Sequence, residues 1–139
     1  MEMTAKQYLR QLSKLQYNIQ LLSEEIEERR TRLESTAAPV LGDKVQTSPH
    51  GDSFATAMAI LADKDLQRQN LIWIYEQQRD TIIDQILELE NEQYTKVLYE
   101  RYVKNKRWDV IADEMHYSIQ RVFQIHGNAL VLFSQKFKV

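Results

Sequence analysis

The side chains best suited to recognising a ligand lie near the end of the chain, in residues 108–130, WDVIADEMHYSIQRVFQIHGNAL. This stretch places an Ile-Ala pair, a short polar break, a serine and a second apolar stripe one after another. Glutamine, which occurs twice here, can form two hydrogen bonds with an adenine edge in duplex DNA. The stretch is therefore either the last pair of helices of a bundle or a helix-turn-helix that binds DNA.

Catalytic chemistry finds little support elsewhere in the chain. Without cysteine there are no disulfides or thiolate metal sites, and His50, His116 and His126 have no ligand-like spacing. The serines and His50 of VQTSPHGDS lack a third group that would orient a nucleophile and base. No glycine-rich phosphate loop or paired-acid constellation occurs. We therefore expect no enzyme, no cofactor and no metal.

Composition predicts an all-α protein. Only three glycines and two prolines occur in 139 residues, among many good helix formers. No apolar run approaches the roughly 18 residues that a membrane span needs, and the first residues do not resemble a signal peptide. We expect a protein without a membrane contact, located in the cytoplasm.

Charge is distributed unevenly along the chain, whose net charge is −2. Residues 1–91 carry ten basic and fifteen acidic side chains, a balance of −5, whereas residues 92–139 carry eight and five, a balance of +3. The positive end contains the stretch quoted above, which is the asymmetry of a chain whose end contacts DNA.

Two long helices must precede that stretch. The first has a heptad seam, in which apolar residues alternate spacings of three and four. Its members are Tyr8, Leu12, Leu15, Ile19, Leu22, Ile26 and Leu33. Turn residues then predict a loop at about residues 37–53, with Asp52 or Ser53 as the cap of a second helix from Phe54 to about Glu90. Together these helices predict a long antiparallel, coiled-coil-like hairpin, formed either within one chain or between chains.

Three shorter helices follow in residues 91–139. Asn91 can cap the first, and Asn105 suits the left-handed position that ends it. Trp108 opens the next helix, and Ser118 caps the last after the break MHYS. Val122, Ile125 and Ala129 form the buried stripe of the last helix, while small Ala112 suits a close helix crossing. Trp108 is predicted to be a core residue, and His126 an ordinary exposed or half-buried one.

Residues 94–133 resemble the C-terminal domain of bacterial sigma factors that recognises the −35 promoter element. The resemblance lies in Arg101-Tyr102, Ile111-Ala112, Ser118 and the pattern RVFQI…AL. The longer N-terminal part is similar to small phage-encoded regulators of the ArpU and RinA type. The resemblance implies a three-helix helix-turn-helix domain that binds double-stranded DNA and controls phage late or packaging-related genes.

The sigma pattern also implies which residues contact DNA. Groove-facing positions are Ile119, Gln120, Phe123 and Gln124, with Arg121 and the backbone N–H at Ser118 near phosphate. Independently of that pattern, Lys104, Lys106 and Arg107 before the motif, and Lys136 and Lys138 after it, are expected to contact phosphates, which position a protein without selecting sequence. Sigma factors usually carry charged residues where this chain has Ile119 and Phe123. Phe123 is therefore predicted to contact either a thymine methyl or another protein.

These observations divide the chain into residues 1–90, for oligomerisation or partner contact, and residues 91–139, for DNA binding. We expect a homodimer, because helix two carries Ile72, Trp73, Ile74 and Tyr75 in succession and one partner helix cannot cover them all. Two alternatives stay open: a phage packaging adaptor of the small terminase type, and a partner of RNA polymerase or a sigma factor that does not touch DNA.

Overall fold

Helices form nearly all of the described chain. The computed structural model describes residues 3–41 and 49–139, with side chains for residues 3–35 and 53–139. Within these ranges it contains no strand, which confirms the predicted all-α class. The elements are α1 (Ala5–Leu9), α2 (Gln11–Leu41), α3 (Pro49–Leu87), α4 (Glu92–Leu98), a π-helical turn (Tyr99–Val103), α5 (Trp108–Met115) and α6 (Ile119–Phe137).

The predicted loop at residues 37–53 is wrong at both ends. Helix α2 continues to Leu41 and α3 already begins at Pro49, so that only residues 42–48 separate them, and these lie outside the described residues. Proline is well tolerated at the first position of a helix, where its missing N–H would have no partner within the helix. The predicted cap at Asp52 or Ser53 is therefore wrong as well, since both residues lie inside α3.

The helix boundaries in the second half of the chain follow the predicted capping residues. Asn91 accepts a hydrogen bond from the backbone N–H of Tyr94 at 3.0 Å and starts α4. Asn105 adopts a left-handed conformation, with φ of 58°, two residues after the π-helical turn. Helix α3 ends at Leu87, slightly before the predicted Glu90, which itself is left-handed with φ of 53°.

One compact unit combines the two ends of the chain, Met1–Gln16 and Tyr75–Val139. Three side-chain hydrogen bonds join α1 and the start of α2 to the end of α3: Tyr8 to Gln85 at 2.7 Å, Gln78 to Gln11 at 2.8 Å and Gln16 to Tyr75 at 2.7 Å. Along these three pairs, residue numbers rise through α1 and α2 as they fall through α3. These two segments therefore run antiparallel, as the predicted hairpin requires in this part of the chain.

The main core of this unit contains apolar residues from both ends of the sequence. Leu9, Leu12, Ile82 and Ile86 are at most 1% exposed, and they pack together with Leu98, Ala129 and Phe133. Helix α6 thus contacts α1 and α4. This core joins residues from both sides of the predicted boundary between residues 90 and 91, so the compact unit does not coincide with the predicted division of the chain. The assignment of separate functions to residues 1–90 and 91–139 stays a prediction.

The other compact unit, Tyr17–Ile74, comprises the rest of α2 and the first part of α3. Among its described side chains, Ile26 is the one hydrophobic residue that is buried. Many of its large apolar side chains are exposed: Tyr17, Leu21, Phe54, Met58, Ile60, Leu66, Ile72, Trp73 and Ile74. Ion pairs one turn apart, such as Arg29 with Glu25 at 2.7 Å, lie on its surface. The described side chains of this unit therefore bury little apolar surface within one chain.

Candidate nucleic-acid interface

Helices α5 and α6 are joined by a tight turn. Helix α5 ends at Met115, and the next residue, His116, adopts a left-handed conformation with φ of 59°. Ser118 accepts a hydrogen bond from the backbone N–H of Arg121 at 3.1 Å and caps α6. A serine at this position satisfies one of the free N–H groups at the start of a helix. The predicted break at MHYS and the predicted cap are both present.

A small apolar cluster fixes α5 against α6. Its buried members are Val97, Ile111, Ala112, Val122 and Ile125, and Trp108 and Met115 pack at its edge. Of the predicted stripe on α6, Val122 and Ala129 are fully buried and Ile125 is nearly so. The burial of the stripe was predicted correctly from its spacing. Ala112 is buried in the same cluster, and a close helix crossing at this residue stays a prediction.

Replacing Ala112 with leucine is expected to lower the free energy of unfolding by about 1–3 kcal/mol, because three added carbon atoms have no space in this cluster. Chemical denaturation of the full chain measures the effect. Val110→Leu is the matched control, since Val110 lies on the same helix and is 39% exposed. An Ala112→Leu variant as stable as the control would contradict the packing of this crossing.

The outward face of α6 carries the residues predicted to contact bases. Ile119, Gln120, Phe123 and Gln124 are all exposed, opposite the buried stripe. Ile119 is 40% exposed and Phe123 is 47% exposed, so this face combines apolar side chains with side-chain amides. The structure thus brings the predicted groove-facing residues onto one accessible surface.

Arg121 and Gln124 are organised by neighbours on the same surface. The guanidinium Nη1 of Arg121 donates to Oε1 of Gln124 at 3.4 Å, and the guanidinium carbon lies 5.9 Å from the centre of the Tyr117 ring. The Tyr117 hydroxyl in turn accepts a hydrogen bond from Gln93 at 2.7 Å. A phosphate or base edge that approaches this surface would contact the Arg121 guanidinium and the Gln124 side-chain amide, whose positions these contacts restrict.

The three predicted phosphate contacts before α5 have different surroundings. Lys104 is exposed and lies 5.7 Å from the centre of the Tyr99 ring, and Arg107 is exposed with an ion pair to Asp109 at 3.1 Å. Lys106 instead bridges two carboxylates, Glu100 at 2.8 Å and Glu114 at 2.9 Å. Hydrogen bonds to Glu100 and then Glu114 raise the pKa of Lys106. Its predicted phosphate contact therefore competes with this pairing.

A buried aromatic group behind the outward face was not anticipated. His126 is 8% exposed, which corrects the prediction of an exposed or half-buried residue. Its Nε2 lies 2.7 Å from the Tyr102 hydroxyl. Trp108, half-buried, contacts His126 edge-on with ring centres 4.6 Å apart. His126 lies four residues after Val122 and three before Ala129, and this spacing on the buried stripe was the available signal.

Burial, with smaller contributions from nearby Lys6, Arg101 and Arg10, lowers the pKa of His126 to about 4. Histidine in an unfolded chain titrates near pH 6.5. Between pH 6.5 and 4 the unfolded chain therefore binds a proton that the folded chain does not. The stabilising contribution of neutral His126 is complete above pH 6.5 and is lost as the pH falls towards 4.

Acidification from pH 7 to 4.5 is thus expected to reduce the free energy of unfolding by about 2–3 kcal/mol through His126. Urea denaturation at the two pH values measures the change. His126→Gln removes this titrating group and should show a smaller pH dependence, whereas exposed His116→Asn should retain it. Equal pH dependence in wild type and His126→Gln would contradict the burial of a neutral imidazole.

Within the described residues no group of histidine and carboxylate side chains could hold a metal ion, and no helix is long and apolar enough to cross a membrane. No protein-family model, curated protein or solved structure matches the chain. The resemblance to sigma factors and to phage regulators therefore stays a prediction from the residues themselves.

Proposed function

We propose that this chain is a phage or prophage transcriptional regulator that binds double-stranded DNA through α5 and α6. The observation that carries the proposal is the division of α6 into a buried stripe and an exposed face with Gln120, Phe123 and Gln124. A recognition helix needs one face for packing and an opposite face for the major groove. The phage context rests on the resemblance of the sequence alone.

In the proposed complex the first turns of α6 enter the major groove. Gln120 and Gln124 are long enough to pair with adenine edges, each good pair contributing about 1–3 kcal/mol of discrimination. The free N–H groups at the capped start of α6 favour a nearby phosphate. Exposed Lys104, Arg107 and Arg121 supply positive charge around this surface.

A fluorescence anisotropy titration of the full chain with a labelled duplex tests the proposal. Binding should weaken steeply between low and moderate salt, because neutralised phosphates release counterions. Arg121→Gln is expected to weaken binding and to reduce the salt dependence by about one ion. Lys64→Gln, which removes a cation of α3, is the matched control and should change neither quantity.

The outcomes separate the proposed function from its rivals. Absence of duplex binding at low salt would contradict the proposal. It would favour the alternative in which the chain binds RNA polymerase or a sigma factor without touching DNA. Binding by an assembly of many subunits would favour the packaging adaptor. Salt-dependent binding by a dimer is the expected result.

We further propose that the unit Tyr17–Ile74 joins two copies of the chain. Leu66 and Trp73 are each 61% exposed, and they lie seven residues apart on α3, hence on the same face. An apolar stripe of this kind is typical of a helix that packs against another helix. A second copy offers the same stripe, and twofold association is the commonest arrangement of soluble oligomers.

Light scattering at tens of micromolar tests this arrangement. The wild-type chain is expected to be a dimer, and the double variant Leu66→Lys, Trp73→Lys a monomer that keeps its helical content. Gln67→Lys adds a charge at an exposed polar position about 100° around the helix from Leu66, and it should stay dimeric. A monomeric wild-type chain would contradict the proposed dimer.

A further inference from the structure

Trp108 lies between the exposed face of α6 and the core behind it. Its ring contacts Phe123 edge-on, with ring centres 5.3 Å apart at an angle of 78°, and it also contacts His126, with ring centres 4.6 Å apart. The guanidinium carbon of Arg101 lies 4.5 Å from the centre of the Trp108 ring. One half-buried side chain therefore touches both the outward surface and the buried aromatic group.

Each of these contacts is itself held in place. The His126 imidazole is hydrogen-bonded to the Tyr102 hydroxyl at 2.7 Å, and both side chains are buried. Arg101 donates from Nη1 to the backbone carbonyl oxygen of Lys106 at 2.9 Å, which ties it to the segment leading into α5. The position of the indole is thus fixed from two elements besides its own helix.

Phe123 is the side chain that this arrangement presents outward. It is 47% exposed and lies on the same face as Gln120 and Gln124. Edge-to-face packing against Trp108 favours one orientation of the ring and leaves much of its surface in solvent. A pre-oriented apolar surface beside two amides matches a base edge that combines an apolar group with hydrogen-bonding groups.

We propose that Trp108 is a positioning residue that holds Phe123 against the 5-methyl group of a thymine in the major groove. The proposal rests on the proposed DNA binding and deepens it. The thymine methyl is an apolar group of the major groove, and apolar side chains including phenylalanine contact it there. Gln120 and Gln124 would contact neighbouring bases, so the surface would prefer sites that contain adenine and thymine together.

Replacement of thymine by deoxyuridine tests the proposal, because it removes only the methyl group. A duplex is first obtained by selection from a random library with the full-length chain, and each thymine is then replaced singly. Replacement of the thymine that contacts Phe123 should weaken wild-type binding about fourfold, which corresponds to the contribution of one buried methyl group. Phe123→Ala should bind more weakly and should no longer distinguish the two bases at that position.

The role of Trp108 is tested by the ratio of the affinities for the thymine duplex and the deoxyuridine duplex. A purely structural role of Trp108 would leave this ratio unchanged. Trp108→Leu is expected to bind the thymine and deoxyuridine duplexes equally, while Trp108→Phe restores part of the difference. Val131→Ala, at a position of α6 that is 57% exposed, is the matched control and should keep the full difference.

Fluorescence provides a measurement that does not depend on the folding of a Trp108 variant. The chain has two tryptophans, so that in Trp73→Phe all indole emission comes from Trp108. The thymine duplex should change this emission more than the deoxyuridine duplex does at saturation.

Two results would be distinguishable failures. Absence of any selected duplex contradicts the proposed function itself. A bound duplex in which no thymine can be distinguished from deoxyuridine, or an unchanged distinction in Phe123→Ala, overturns the role of Phe123 and Trp108 while leaving DNA binding intact.

Discussion

A fragment that begins at Asn91 is expected to lose the cooperative thermal transition of the full chain. It would lack Leu9, Leu12, Ile82 and Ile86, which are at most 1% exposed in the main core of the unit that contains α6. Loss of a single buried leucine or isoleucine side chain typically costs about 2–5 kcal/mol. Four such losses sum to about 8–20 kcal/mol, which is as large as the total stability of about 5–15 kcal/mol that most domains have.

The control for this deletion keeps the whole of that unit. Residues 1–16 and 75–139 can be joined by a short Gly-Ser linker, because the side chains of Gln16 and Tyr75 are hydrogen-bonded at 2.7 Å. Circular dichroism should show a cooperative melt for the joined chain and none for residues 91–139. A cooperative melt of the short fragment at the temperature of the full chain would contradict the shared core.

Phe133→Ala is expected to lower the free energy of unfolding by about 3–5 kcal/mol. The Phe133 side chain is fully buried, and its ring centre lies 5.8 Å from that of Tyr8 and 4.8 Å from that of Phe137. Truncation therefore leaves a cavity between α6 and α1. Urea denaturation of the full chain measures the loss.

Phe123→Ala is the matched control, since it makes the same change on the same helix at a position that is 47% exposed. The Phe123→Ala substitution should lower the free energy of unfolding by less than about 1.5 kcal/mol, because it removes mainly the edge-to-face contact with Trp108. Similar losses for the two variants would contradict the assignment of one phenylalanine to the core and the other to the outward surface.

The local features of α5 and α6 could be predicted from sequence because each depends on residues a few positions apart. Asn91 and Ser118 cap helices through their own next turn, and Asn105 adopts the left-handed conformation that its side chain tolerates. The stripe Val122, Ile125 and Ala129 follows from helical spacing. Such signals are complete within one or two turns of chain.

Other features depend on contacts between distant residues and could not be predicted in the same way. Tyr102 and His126 are 24 residues apart in sequence, and Lys106 meets Glu114 only because α5 follows the π-helical turn in a particular direction. Leu9 belongs to a core with Phe133 that the heptad of the first helix does not indicate. Pro49 was interpreted as a turn residue, although proline also suits the first position of a helix.

The same local spacing explains why the candidate DNA contacts lie together on one exposed face, whereas their surroundings could not be predicted. Exposure of Gln120 and Gln124 follows from the buried stripe opposite them. The aromatic support of Phe123 by Trp108, and the engagement of Lys106 by two carboxylates, arise from tertiary packing.

Selection of duplexes from a random library by the full-length chain, compared with Gln120→Ala and Gln124→Ala, tests the central claim most directly. Sequence-specific DNA binding through α6 predicts an enriched motif for the wild type and, in each variant, relaxed preference at one base pair with about 5- to 150-fold weaker binding to the wild-type motif. Gln135→Ala, exposed near the end of the same helix, should enrich the wild-type motif. No enrichment by the wild type, or an unchanged motif in both glutamine variants, would contradict DNA recognition by this face.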